Sequence, residues 1–208
     1  MLRYCRFSIN YSDGHYDSDA MHALTSFAVL ASRLSGERVA LELRKILSHE
    51  RCAPAIDLLH QTGLDKTSLG CDLLVTAMPK ISHDLRMVTE DFGWLVVLAA
   101  IIPQVDVTGV LARLRLNRAD QKFCAQLAAS NPSQIFDNLS ATNWRQSAFF
   151  MGGRAAAYFA CAAWRLGAAL DHQHYKALHQ WQPPKLPVSG ADLLSHGVDN
   201  GVAVGQML

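Results

Sequence analysis

Apolar residues recur at three- and four-residue steps along almost the whole chain, and nowhere do they alternate with polar ones over a strand's length. That pattern restricts the fold to helix packed on helix, because a half-buried sheet needs segments of period two. After Asp19, the stretch AMHALTSFAVLASRL puts Leu24, Phe27, Ala28, Ala31 and Leu34 on one helical face, with Asp19 placed to cap its start and Ser35-Gly36 breaking its end. Glu37 to Leu47 predicts a second helix, with Val39, Leu43, Ile46 and Leu47 inward and Arg38, Glu42 and Lys45 spaced for surface pairs. Ala53 to Gln61 predicts a third, stopped at Gly63. Further helices are expected over 84–102, 105–115, 118–129, 131–139, 143–151 and 154–170, the last rich in alanine, which lets helices approach closely. Pro183, Pro184 and Pro187 stiffen a linker after them. The expected fold class is all-α, and no repeat of fixed period points to a solenoid.

Half of the 208 residues are apolar, enough for a buried core. The longest unbroken apolar run, Trp94 to Ile102, is far short of the roughly 20 residues of a membrane span. The first ten residues, MLRYCRFSIN, lack an apolar stretch of signal-peptide length, which points to a cytoplasmic protein. Five scattered cysteines without a C-x-x-C pair read as small buried residues rather than as zinc ligands or disulfides. In the cluster Asp171-His172-Gln173-His174, with His179 beyond, a helix would turn the imidazoles away from one another, so no metal is expected there. His83-Asp84 is read as a surface loop. The net charge of +1 hides an uneven distribution. Residues 101–185 carry 9 Lys/Arg against 4 Asp/Glu, a net +5 that suits an acidic partner, with nucleic acid the commonest.

Four stretches carry a more specific signal. RYCRF is followed by an Asp-Gly loop, then LSGERVALELRKIL, then DLLHQTGL, and the chain closes on LPVSGADLLSHGVDNGVAVGQML. In this order they resemble the class II tRNA nucleotidyltransferases and their poly(A) polymerase relatives, enzymes that add CCA, or A alone, to RNA 3′ ends. The resemblance covers residues 1–66 and 186–208, and LRLNRADQKF is similar to a further family segment between them.

The resemblance implies a neck over 1–50, a helical body over 51–182 and a small helical-hairpin tail over 183–208. It also implies a catalytic head, with a glycine-rich turn and an Asp-x-Asp pair holding two divalent ions, that is expected to lie outside this chain. Asp17-Ser18-Asp19 has that acidic spacing but lacks the preceding turn, and helix capping accounts for it. The chain alone is therefore expected to be catalytically inert and to hold no cofactor, with Mg2+ and CTP or ATP implied for the complete enzyme. The family's nucleotide-selecting helix reads Glu-Asp-x-x-Arg and then two further arginines. Those two correspond to Arg3 and Arg6, the earlier residues being expected before Met1. Arg3 and Arg6 are either remnants of a nucleotide clamp or plain surface arginines. Glu37, Arg38 and Glu42 open the helix that, by resemblance, braces the selecting helix. Otherwise they serve only their own helix.

Arg115, Arg118 and Lys122 are spaced to share a helical face, joined by Arg113, Arg145, Arg154 and Lys185 as candidate RNA-phosphate contacts. In the tail, Ser189 is placed to cap, Gly197 to stop the helix, and Asn200-Gly201 to make a reversal whose amides are able to hold phosphate. The family's aromatic continuation of the last helix is expected beyond Leu208. Three readings remain open. The chain is an RNA-positioning portion served by a separate head protein, with a tRNA or other RNA 3′ end as partner and no membrane; or a stand-alone RNA-binding module; or a structural helical scaffold.

Overall fold

A computed structural model describes residues 1–11, 16–87 and 92–184, together with Asp192 and Ser195. Every regular element among them is a helix, as the periodicity required. In chain order these are α1 Leu2–Tyr11, α2 Ser18–Phe27, α3 Gly36–Leu47, α4 Cys52–Gln61, α5 Leu64–Leu69, α6 Met78–Met87, α7 Trp94–Ile101, α8 Val107–Leu114, α9 Arg118–Ala129, α10 Pro132–Ser140, α11 Trp144–Met151, α12 Ala155–Leu166 and α13 His172–Gln180. Short 3₁₀ segments join several of them, the longest being Ala28–Arg33 after α2.

The local chemistry of the starts is explicit. Asn117 accepts from the Asp120 amide at the head of α9. Asn131 accepts from Gln134 at the head of α10, where Pro132 loses nothing at a position whose N–H has no helical partner. Asp171 takes the amides of Gln173 and His174 at the head of α13. For α2 the cap is Asp17 rather than Asp19. Its Oδ1 accepts from the Asp19 amide at 2.7 Å, because the cap side chain reaches the amides one or two residues into the helix.

The core is one continuous cluster from Leu2 to Leu178. At its centre lies α7, buried from Leu95 to Ile101, with α9, α12 and α3 packed around it. α12 contributes Ala155, Ala156, Ala160, Ala162 and Ala163, which let α10 and α7 come close, and fills the remaining volume with Phe159 and Trp164. α1 packs across α3 and α4 at the other end. Arg165 ties two helix ends together, its Nη1 donating to the Ala128 carbonyl at 2.7 Å and its Nη2 to that of Ile102 at 2.8 Å. Those carbonyls close α9 and α7, where helical donors have run out.

Three sequence expectations are corrected. The helix expected over 84–102 is two, α6 and α7, because Gly93 adopts φ 76°, outside the right-handed helix, and Phe92 turns into the core against Trp164 and Tyr175. His83-Asp84 is no surface loop: it lies within α6, and Asp84 is 4% exposed. The run through 20–34 leaves the α-helix at Phe27 for a 3₁₀ segment. No single helix among the described residues is long and apolar enough to cross a membrane.

All five cysteines are buried and free, as their scatter suggested. Burial pushes the thiols of Cys5, Cys71, Cys124 and Cys161 up to about 12 and that of Cys52 to about 11. Thiolate is the reactive form, so native protein at pH 8 should release no fast-reacting thiol to Ellman's reagent, whereas urea-unfolded protein should release all five.

Candidate nucleic-acid interface

The sequence nominated cations, and the structure divides them by what each guanidinium touches. Arg6 on α1 bonds Glu42 on α3 through Nε and Oε2 at 2.7 Å, and its guanidinium carbon lies 4.4 Å from the Phe7 ring centre. This is the brace between the first helix and α3. Arg3 and Arg38 are exposed and, with Leu2, Leu34, Leu41 and Glu42, line a cavity of about 430 Å³. Glu42 thus braces the first helix, while Arg38 faces open space.

Arg113 is a structural side chain. Its Nη2 donates to the carbonyls of Leu34 at 2.6 Å and Ser32 at 3.4 Å, pinning the chain just before α3 to the end of α8. The same junction is closed by Gly36, which packs so tightly on the Arg113 backbone that a Cβ would lie 1.9 Å from its carbonyl oxygen. Arg115 does not share a helical face with Arg118 and Lys122. It sits at φ 52°, the only non-glycine at positive φ among the described residues, in the turn between α8 and α9. The α8 helix ends at Leu114 and Asn117 starts a new one, so the three-residue step does not carry through. From that turn Arg115 Nη1 reaches Glu37 Oε1 at 3.3 Å. Backbone hydrogen bonding at the start of α3, and then the Arg115 guanidinium, hold the Glu37 carboxyl below its ordinary range. The exposed pair therefore persists at neutral pH and is lost only as pH falls through that lowered value.

Arg118 and Lys122 do share a face of α9, one turn apart, along a groove of about 390 Å³ with Thr108, Leu111 and Gln121. Arg154 lies over the Phe123 ring at 5.0 Å and Arg145 over the Trp144 ring at 4.9 Å, both exposed. Lys185 and Gly201, and the capping and turn residues Ser189, Gly197 and Asn200, lie outside the described residues. Of the nominated cations, those left exposed for a polyanion are Arg3, Arg38, Arg118, Lys122, Arg145 and Arg154. Arg33, Arg44 and Lys45 are also exposed near α3. Sequence reasoning did not nominate these three as RNA contacts, although it placed Lys45 on the polar face of α3 and the same period puts Arg44 beside that face.

One metal-like group emerges that the sequence did not suggest. His60, Asp65 and Asp72 bring donor atoms within 4.8 Å of one another. The fully buried Asp65 carboxylate is already engaged by protein groups: it takes the amides of Lys66 and Leu73 and lies 2.8 Å from His60 Nδ1. Asp72 Oδ2 is 3.4 Å from Lys66 Nζ. These contacts close the turn from α4 into α5 and the chain after it. The histidines of the 171–174 cluster part as expected, with His172 on Asp84 and His174 donating to the Leu139 carbonyl.

Residues 16–69, from just before α2 to the end of α5, match a family described as "Probable RNA and SrmB-binding site of polymerase A". Over its whole length the chain is 26% identical to CCA tRNA nucleotidyltransferase 1, mitochondrial, of Mus musculus, and 24% identical to its counterparts in Danio rerio and Homo sapiens. The chain is similar to CCA-adding enzymes along its length and to the polymerase A family over residues 16–69. It spans about half the length of those curated relatives, 49% of each. Tertiary contacts hold the matched stretch: Tyr16 Oη donates to the Pro54 carbonyl at 2.9 Å at its start, and Glu42, Glu37 and Leu34 receive Arg6, Arg115 and Arg113 along it.

Proposed function

We propose that this chain is the RNA-holding helical portion of a CCA-adding or poly(A)-adding polymerase. It grips a tRNA or another RNA by its backbone and presents the 3′ end to nucleotidyltransferase chemistry carried outside these 208 residues, where Mg2+ and CTP or ATP act. The observation that carries this reading is the match of residues 16–69 to the family's RNA-binding region, together with the exposed arginines and lysines that its bracing leaves on the surface. Such side chains neutralise phosphate without reading sequence, so they suit an enzyme that must accept many RNAs.

The test is tRNA binding measured between 50 and 200 mM salt. Affinity should fall steeply, and the double charge reversal Arg118→Glu with Lys122→Glu should weaken binding and reduce the slope of log K against log salt by about 2, the loss expected for two phosphate contacts. Adding a separate nucleotidyltransferase head should then restore nucleotide addition to the bound RNA. An absence of measurable binding at the lowest salt overturns the proposal.

A further inference from the structure

The exposed surface of α11 differs in character from the basic face of α9. The exposed side of α11 carries Arg145, Gln146, Phe149 and Phe150 at positions that share one helical face. Opposite them, the chain leaving α13 presents Trp181 and Gln182, and the two sides enclose a groove of about 500 Å³. Phe150 is 84% exposed and Phe149 44%, a large solvent cost for two phenyl rings that meet edge to face at 5.8 Å. The Trp144 and Trp181 rings meet edge to face at 5.8 Å, and Trp144 is further fixed edge-on by His174 at 5.5 Å. Arg145 lies over Trp144, and among the described residues no carboxylate lines the groove.

From this arrangement we propose that the groove between α11 and the Trp181 segment takes unstacked nucleotides of a single RNA strand, with bases on Phe149, Phe150 and Trp181 and the phosphate on Arg145. The inference rests on the RNA-binding reading above and names a second, chemically different part of that surface. Each component matches the ligand. Aromatic faces stack any base, which is why non-specific single-strand sites are built from them. A guanidinium placed over an indole is steadied for phosphate without losing its charge. The Gln146 and Gln182 amides each offer donors and an acceptor to a base edge. A groove for an apolar peptide would need neither the two amides nor the cation, and an acidic peptide would have no use for two exposed phenyl rings beside a half-buried indole. A fully paired helix is excluded by shape, since its bases are stacked on one another and offer no face.

The experiment uses the whole chain and two RNA hairpins with the same stem, one blunt and one carrying a five-nucleotide single-stranded 3′ overhang. The wild type should bind the overhang hairpin more tightly. Phe150→Ala should remove most of that advantage, about tenfold, and leave the blunt hairpin unchanged. Phe150→Trp should retain the preference, and Phe150→Leu, which keeps the apolar bulk but not the ring, should lose it. Because Phe150 is almost fully exposed, these variants fold. Equal binding of both hairpins by wild type, or an overhang preference that survives Phe150→Ala, overturns the groove assignment while leaving the backbone grip standing. So does retention of the preference by Phe150→Leu, the result expected of an apolar peptide site. Failure of the wild type to bind either RNA overturns both readings together.

Discussion

Gly36→Ala should destabilise the protein by about 3 kcal/mol or more, at the upper end of what overpacking a core costs. The added methyl would lie 1.9 Å from the Arg113 carbonyl oxygen, 3.0 Å from its carbon and 3.3 Å from the Leu114 carbonyl carbon. All three are backbone atoms, so no side chain can rotate out of the way. Nor can the end of α8 swing aside freely, since the Arg113 guanidinium is bound to the Leu34 carbonyl and Arg115 to Glu37 on the facing segment. Relief therefore requires α3 to withdraw from α8, opening the packing of Val39 and Leu43, which are buried completely or nearly so. In urea denaturation the midpoint should fall while the slope stays constant, and RNA binding should be lost at temperatures where the variant unfolds. Gly109→Ala supplies the opposite sign in the same region. That glycine is exposed inside α8 with no heavy atom within 4 Å of a Cβ, so alanine there should be neutral or stabilise by up to about 1 kcal/mol through helix propensity. If Gly36→Ala were as stable as its parent, the close approach of α3 to α8 would be wrong, and with it the bracing of the matched RNA-binding stretch.

That glycine also shows where sequence reading reached its limit. Ser35-Gly36 was legible as a break in helical periodicity, and the break is real: α3 begins there. The reason for glycine was not legible, because it depends on a backbone 77 residues away. The same division holds across the molecule. Helices α3, α4, α9, α10 and α11 were readable from the 3.6-residue period, since each buries one face and exposes the other. α7 was not separable from α6, because a helix buried on every side has no polar face to mark its ends, and only Gly93 gives the boundary away. Among the nominated site residues, spacing correctly paired Arg118 with Lys122 on α9. It failed for Arg115, whose left-handed turn sends it to Glu37, and it had no access to Arg6 meeting Glu42 or Arg113 meeting Leu34. Which arginine holds the fold and which faces solvent is decided by tertiary partners, and a single sequence does not state them. The exposed aromatic groove was hidden for a related reason: Phe149 and Phe150 look like core residues in any hydropathy reading, and only their exposure identifies them as surface.

The second large effect is expected at Asp84, which the sequence misplaced in a loop. Its carboxylate is the polar link between α6, α12 and α13. Oδ2 accepts from the Trp164 indole Nε1 at 2.7 Å, and Oδ1 lies 2.8 Å from His172 Nε2, which must carry the proton because an ionised carboxylate only accepts. Trp164 is 1% exposed, so its N–H has no recourse to water. Asp84→Ala should therefore cost about 3 kcal/mol, combining the loss of two hydrogen bonds to a charged acceptor with a buried indole donor left without one. Asp84→Asn separates geometry from charge. Its oxygen can still accept from Trp164, and its amide can donate to His172 once the imidazole proton moves to Nδ1, so the loss should be about 1 kcal/mol. Thermal or urea unfolding ranks the three proteins, and hydrogen exchange at the Trp164 indole gives a local readout: slow in the parent and in Asp84→Asn, fast in Asp84→Ala. Equal stability of the alanine variant would mean that the indole finds another acceptor and that α13 docks through its apolar face alone, by Tyr175 and Leu178. Because α13 leads directly into Trp181 and Gln182, loosening it should also reduce the preference for single-stranded overhangs, linking this buried carboxylate to the proposed base groove.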